Sequence, residues 1–374
     1  MARGTVVSLF DCLLDVDDPR LPGNGMRYDF REMLVMMIAA TLSDCDTVEE
    51  MADWARMRES WLRRFLLLKN GIPSEDTFLR LLQILDPKQF ADCFRRWMGG
   101  MVTGLGRMLA IDGKTARGSA AGGESPLHLV SAFATDLGVA LGQEKVADKS
   151  NEITAIPELL KALYLRGILV SIDAMGCQKA IARQITAKGG DYLLAVKGNQ
   201  SSLRESIELA FIDRHESTET HEQLEKSHGR LVIQIARVLP AKKVVNSTDW
   251  PKGKTIARID SLRMESGKSP VSETERRYYI SSRELDAAEL WHAVRAHWGV
   301  ENRLHWILDV VFGEDASPMR KDNAPQNLSL LKKIALNLIH TTCPGKAKVS
   351  LRIKRKRAAW DDDIRMGMLG IHPR

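Results

Sequence analysis

Three acidic residues stand where metal-assisted phosphoryl transfer would place them. Asp112 closes the apolar run Met108-Leu109-Ala110-Ile111-Asp112-Gly113-Lys114. Asp173 closes a second, Ile168-Leu169-Val170-Ser171-Ile172-Asp173-Ala174-Met175-Gly176. Glu301 lies in the helical stretch His297-Trp298-Gly299-Val300-Glu301-Asn302-Arg303-Leu304-His305-Trp306. Two aspartates at strand ends and a glutamate on a helix can hold a pair of Mg²⁺ ions, with Mn²⁺ able to substitute. Metals about 3.5–4 Å apart clamp the attacking and leaving oxygens of a phosphoryl transfer. On nucleic acid, that chemistry is cutting and joining. Strands often stop at turn-forming aspartates, so neither Asp112 nor Asp173 decides the matter alone. The order Asp, Asp, Glu in strand, strand, helix settings carries the reading.

Other polar residues cluster around these three. His297, Glu301 and His305 share a helix face at i, i+4, i+8. The His-Glu-x-x-His pattern of zinc helices is absent. The histidines therefore suit a place near a scissile phosphate, or a hydrogen bond at the core. Lys114 and Arg117 follow Asp112, and Lys197 and Asn199 follow an apolar run ending at Val196. All four are candidate DNA contacts, against the plainer reading of surface residues beside turns. Trp291, Trp298 and Trp306 suit core packing better than base stacking.

These residues need a scaffold, and the chain alternates in character. Residues 1–100 show helical spacing and plausible caps at Asp29, at Asp46 or Thr47, and at Ser74, with one long helix expected from Val48 to Leu68. Acids slightly outnumber bases there. Residues 107–210 read as β-β-β-α-β-α-β, with a hairpin at Asp136-Leu137-Gly138. That order matches a ribonuclease H-like catalytic core, in which the first and fourth strands are neighbours and Asp112 meets Asp173. The fold class is α/β, a mixed five-stranded sheet with helices, completed by 284–340. Residues 211–283 read as a β-rich insertion. Asp286 suits a helix cap, and Leu290, Trp291, Val294 and Trp298 form an apolar stripe. Residues 341–374 form a basic tail. From Lys346 through Lys348, Arg352, Lys354, Arg355, Lys356 and Arg357 no acid intervenes, which favours a flexible arm on a phosphate backbone.

Composition narrows the class. The chain has 374 residues, 44% of them hydrophobic, a formal charge of +6 and a pI near 9.0. Length suggests two to three domains. The five cysteines, Cys12, Cys45, Cys93, Cys177 and Cys343, include no CxxC pair and fit free thiols in a reducing compartment. No signal peptide and no membrane-spanning run is visible, so a cytoplasmic protein associated with the nucleoid is expected.

Taken together, these blocks resemble the DDE transposases of bacterial insertion sequences, in the branch of the H-repeat-associated proteins. Further matching blocks are Gly71-Ile72-Pro73-Ser74-Glu75-Asp76-Thr77-Phe78, Asp148-Lys149-Ser150-Asn151-Glu152, Lys197-Gly198-Asn199-Gln200, His228-Gly229-Arg230, Leu308-Asp309-Val310 and Ala335-Leu336-Asn337-Leu338. The resemblance implies metal-dependent cleavage of element ends and strand transfer into target DNA. It implies Asp112, Asp173 and Glu301 as the triad, a dimer in the DNA complex, and a helical N-terminal domain able to bind DNA ends. Many relatives carry Tyr and Arg before the glutamate and a basic residue after it. Val294, His297 and Leu308 occupy those positions here. Arg295, His297 or His305 would have to stand in as phosphate clamps. The competing reading is a decayed or repurposed relative that binds DNA without transposing.

Overall fold

The computed structural model describes residues 8–21, 26–102, 108–120, 125–147, 151–213, 218–227, 230–242, 244–265, 274–342 and 349–371. Asp148-Lys149-Ser150, His228-Gly229, the turn expected at Ser266-Gly267-Lys268, Cys343, Lys346 and Lys348 lie outside them.

The N-terminal region is helical. It comprises α1 (Leu9–Leu13), α2 (Phe30–Leu42), α3 (Val48–Met57), α4 (Glu59–Leu62), α5 (Glu75–Ile84) and α6 (Pro87–Val102). Asp29 caps α2 by accepting from the amides of Arg31 and Glu32. Thr47 and Glu50 form a reciprocal capping box on α3. The expected helix from Val48 to Leu68 instead breaks at Arg58, whose φ of −109° and ψ of 16° leave the helical region. From Met33 onward α2 is buried along its whole length, because it runs through the molecule's core.

Nine strands form one sheet: β1 (Met108–Thr115), β2 (His128–Ala134), β3 (Val139–Lys145), β4 (Leu169–Ile172), β5 (Asp191–Val196), β6 (Glu219–Ser227), β7 (Arg230–Pro240), β8 (Thr255–Glu265) and β9 (Glu275–Ser281). Their order is β3-β2-β1-β4-β5-β9-β8-β7-β6. Gly138, at a φ of +71°, closes the β2–β3 hairpin. Helices α7 (Glu152–Ala162) and α8 (Lys179–Ala187) carry the chain to β4 and β5, both parallel to β1. A further helix, α9 (Ser201–Asp213), follows β5.

The sheet corrects the expected architecture. The strands of 211–283 do not stand apart from a five-stranded core. β9 pairs antiparallel with β5, from Leu193 opposite Ser281 to Val196 opposite Tyr278, and β8, β7 and β6 continue outward. The pairing satisfies the backbone groups that β5 would otherwise present as an edge.

The helical part resumes with α10 (Ala287–Val300), capped by Asp286 and Glu289. A five-residue π turn, Glu301–His305, leads into α11 (Trp306–Val310). Then follow α12 (Ala324–Thr342), α13 (Leu351–Trp360) and α14 (Asp362–Leu369). Among these helices α12 is buried from Asn327 to Ile339 and packs against α2, α5 and α6.

The tail is a second correction. Residues 351–369 are two ordered helices, and Arg355 is fully buried rather than offered to DNA. Its guanidinium donates to the carbonyls of Thr41 (3.0 Å) and Val311, pairs with Asp46 (2.6 Å) and lies 4.2 Å from the Phe312 ring centroid. Arg365, also fully buried, lies 4.1 Å from the Trp61 ring and 5.2 Å from Trp54, and pairs with Asp362. Buried cations persist only when paired in this way. Arg357 faces solvent, and Lys354 and Lys356 are half-buried.

Candidate metal centre

Parallel pairing builds the first half of the site. Ile111 on β1 is opposite Ile172 on β4, so Asp112 and Asp173 both emerge just past the last paired residues, at one edge of the sheet. Helix α10 packs across β1 and β4 and delivers the π turn to that edge. Such turns recur at functional sites because they re-aim side chains within a helix.

Asp112, Glu301 and His305 bring one ligand atom each within 4.8 Å of one another. His305 Nδ1 is 3.1 Å from Glu301 Oε2 and 3.5 Å from Asp112 Oδ2. The imidazole is buried, with Nε2 lacking a hydrogen-bond partner, whereas the Glu301 side chain is 66% exposed. Asp173 is close enough to act on Asp112 but is not part of this cluster. Its Oδ1 accepts from the amides of Met175 (3.0 Å) and Gly176 (3.3 Å).

The electrostatics are those of crowded acids. Burial, followed by the charges of Asp173, Glu152 and Glu301, pushes the Asp112 carboxyl up to about 7. No lysine or arginine pairs with Asp112, Asp173 or Glu301 among the described residues. Burial lowers His305, against the pull of Glu301. His297 lies deeper, with Nδ1 2.9 Å from Ser171 Oγ, and burial pushes it down to about 4, so it is neutral at pH 7. A neutral, buried His297 does not serve as a cationic phosphate clamp.

Other sequence candidates distribute unevenly. Lys114 turns inward: it is 11% exposed and ion-paired with Asp309, Glu314 and Asp315, so it is not a DNA contact. Arg295 pairs with Glu225 of β6 at 2.9 Å instead of joining the acids. Arg117 is exposed beside Asp315, and Lys197 is exposed beside Asp173. Asn199 donates to the carbonyl of Ala174 at 2.7 Å, bracing the loop after β4. Trp291 is buried, whereas Trp298 and Trp306 are 45% and 53% exposed, so the expected apolar stripe stops one turn early. Trp298, Arg277, Tyr279, Lys197, His297 and Asp173 line a cavity of about 130 Å³.

A further acid was not singled out from the sequence. Glu152 Oε1 is 2.8 Å from His128 Nε2, whose Nδ1 is 2.8 Å from Thr115 Oγ1. A Cβ on Gly113 would fall 2.1 Å from Glu152 Oε1, so only glycine after Asp112 admits this neighbour. The Asp-Gly pair at 112–113 was the available signal.

Comparison with known proteins agrees with this geometry. Residues 103–338 match the family model of the transposase DDE domain, and residues 10–98 match the DDE_Tnp_1-associated model. The chain belongs to the DDE transposase family. Within it, this DDE transposase chain is 39% identical over 365 residues to YncI of Escherichia coli O157:H7, provisionally named a transposase, covering 95% of this chain and 92% of that one. It is 38% identical over 347 residues to YhhI of Escherichia coli strain K12, provisionally named an H repeat-associated transposase, covering 90% and 91%. A piggyBac transposase synaptic complex with hairpin DNA aligns at 11% identity and a TM-score of 0.45, over 96% of this chain and 75% of that one, a likeness too loose to argue from. No helix among the described residues of this DDE transposase is long and apolar enough to cross a membrane.

Proposed function

We propose that the chain cleaves DNA at the ends of an insertion sequence and joins the freed 3′-hydroxyl to target DNA, using divalent metal held in a ribonuclease H-like core. The carrying observation is the convergence of Asp112, Glu301 and His305 within 4.8 Å, beside Asp173 on the adjacent strand end. The donor set fits the metal: carboxylate oxygens suit Mg²⁺, and an adjoining imidazole is tolerated by Mn²⁺. Asp112, crowded by like charges, is a carboxyl that a cation would return to its ionised form.

Asp112, Asp173 and Glu301 would hold two Mg²⁺ ions, with His305 adjoining. Bound there, the metal lowers the pKa of the attacking water and offsets charge on the transferring phosphoryl group. The protein's own residues do the rest. The paired strands fix Asp112 and Asp173 in register, so little is lost in ordering them during reaction. His305 orients the otherwise mobile Glu301 carboxylate through Nδ1. The backbone amides of Met175 and Gly176 hold Asp173 in one rotamer. Arg117, Lys197, Lys356 and Arg357 offer phosphate contacts, and two ends are joined by a dimer in the DNA complex, in the bacterial cytoplasm.

The test is cleavage of a duplex carrying the element's own end, with Mg²⁺ or Mn²⁺, by wild type and Glu301→Gln. Nicking at the element boundary by wild type alone is the expected result. Binding without cleavage by wild type in either metal would overturn the reading in favour of a DNA-binding relative.

A further inference from the structure

One buried lysine ties the two arms of the metal centre together. Lys114 lies two residues beyond Asp112 on β1. Its ammonium is 2.7 Å from Asp309, 2.9 Å from Glu314 and 3.2 Å from Asp315. All three acids belong to the chain that leaves Glu301 and His305, Asp309 on α11 and the others in the turn after it. Glu314 is anchored in turn by Ser329 Oγ of α12 at 2.6 Å. Lys333 of α12 donates to that same hydroxyl (2.9 Å) and to Gln143 of β3 (2.7 Å).

The arrangement opposes a definite force. Asp112 and Glu301 repel each other and come from distant parts of the chain, one on a strand and one on a helix. What they share directly is His305, 3.5 Å from Asp112. Lys114 supplies a second, longer-lived link on the far side of the carboxylates. Burial alone would lower its pKa, but Glu314 and Asp309 outweigh burial and hold it above that of an ordinary lysine.

We propose that Lys114 is a positioning residue: by pinning Asp309 and Glu314 to β1, it sets the separation between Asp112 and the Glu301–His305 turn, and through that separation the affinity of the site for divalent metal. The inference rests on the metal-centre reading above. It differs from a plain structural ion pair in one respect. Removing a positive charge beside a cation site should tighten cation binding by electrostatics alone. Loss of positioning weakens it, and changes to groups that orient ligands typically cost 10–100-fold in metal affinity, on the order of.

The experiment measures binding of Mn²⁺ alone to the full chain, by the paramagnetic resonance signal of the free ion, together with the metal-free unfolding midpoint. Lys114→Met is expected to bind Mn²⁺ about tenfold more weakly than wild type. Unchanged or tighter binding by a folded Lys114→Met would overturn the proposal. Should Lys114→Met fail to fold, Asp309→Asn and Asp315→Asn decide, since each removes one negative charge. Asp309→Asn, at the shorter contact, is expected to weaken binding more than Asp315→Asn, with an unchanged metal-free midpoint. Equal weakening would leave only electrostatics and overturn the proposal. Asp112→Ala separates the two readings. If it binds Mn²⁺ as wild type does, the metal centre itself is misplaced and the proposal falls with it. If Asp112→Ala loses Mn²⁺ while Lys114→Met and Asp309→Asn keep it, positioning by Lys114 alone is wrong.

Discussion

Glu314 is more deeply buried than Asp112, yet Glu314 is the one held ionised. Its side chain is 6% exposed, against 24% for Asp112. Burial alone would raise both. For Glu314, Lys333 and Lys114 outweigh burial and bring the carboxyl down to about 2. For Asp112, the neighbours are Asp173, Glu152 and Glu301, and the carboxyl rises to about 7. Burial therefore does not separate the two clusters; the sign of the facing charge does. One cluster carries its own cations and serves as scaffold. The other gathers acids around a sheet edge and leaves charge balance to a metal supplied from solution.

The comparison breaks most visibly at Glu301. Glu301→Gln should reduce cleavage on the order of 10³-fold while leaving the metal-free unfolding midpoint intact, because Glu301 is exposed and repelled in the folded chain. A large fall in that midpoint would place Glu301 in the scaffold instead. Next in size is Lys333→Met, which removes the fully buried cation facing Glu314. Breaking such a pair costs about 3–5 kcal/mol, read as a shift in the urea midpoint. A neutral result would mean that Lys114 suffices.

A smaller effect appears in acid. The folded pKa of Glu314 lies below its unfolded value, so its contribution to stability is complete above about pH 4.5 and is lost as pH falls toward about 2. Glu314→Gln should flatten the urea midpoint over that window, and an unchanged slope would refute the assignment. The smallest effect concerns cations with no acid to hold. Arg357→Ala should leave stability unaltered and lower the salt dependence of DNA binding by about one phosphate contact. An unaltered salt slope would remove α13 from the DNA surface.

The sequence was most informative where the cause of structure is local. Asp112 and Asp173 end their strands as the apolar runs indicated, β1 and β4 are neighbours, and Thr47 and Asp286 cap their helices. Elements with weak local signals were missed: β6, polar on both faces because it is an edge, and α9, which follows β5 almost without a break. Arg355 misled because a basic run reads as solvated. The carbonyls of Thr41 and Val311 that hold it lie hundreds of residues away or across the core, and composition cannot show them. Lys114 misled for the same reason, since Asp309 and Glu314 meet it only after folding. Trp298 fell outside its expected stripe as the helix approached the π turn, where ordinary helical spacing ceases to report facing.

That π turn has a consequence for how the gene tolerates changes of length. A π turn holds one residue more than the α turn it replaces. Losing one codon between Glu301 and His305 would let the backbone close into a regular helix. It would also swing everything after the deletion by about 100° around the axis. Leu308, now fully buried, would rotate out of the core, and Asp309 would rotate away from Lys114. Substitutions in these five residues can be graded in their effects, but their number cannot change by one without dismantling the reading frame of contacts that follows.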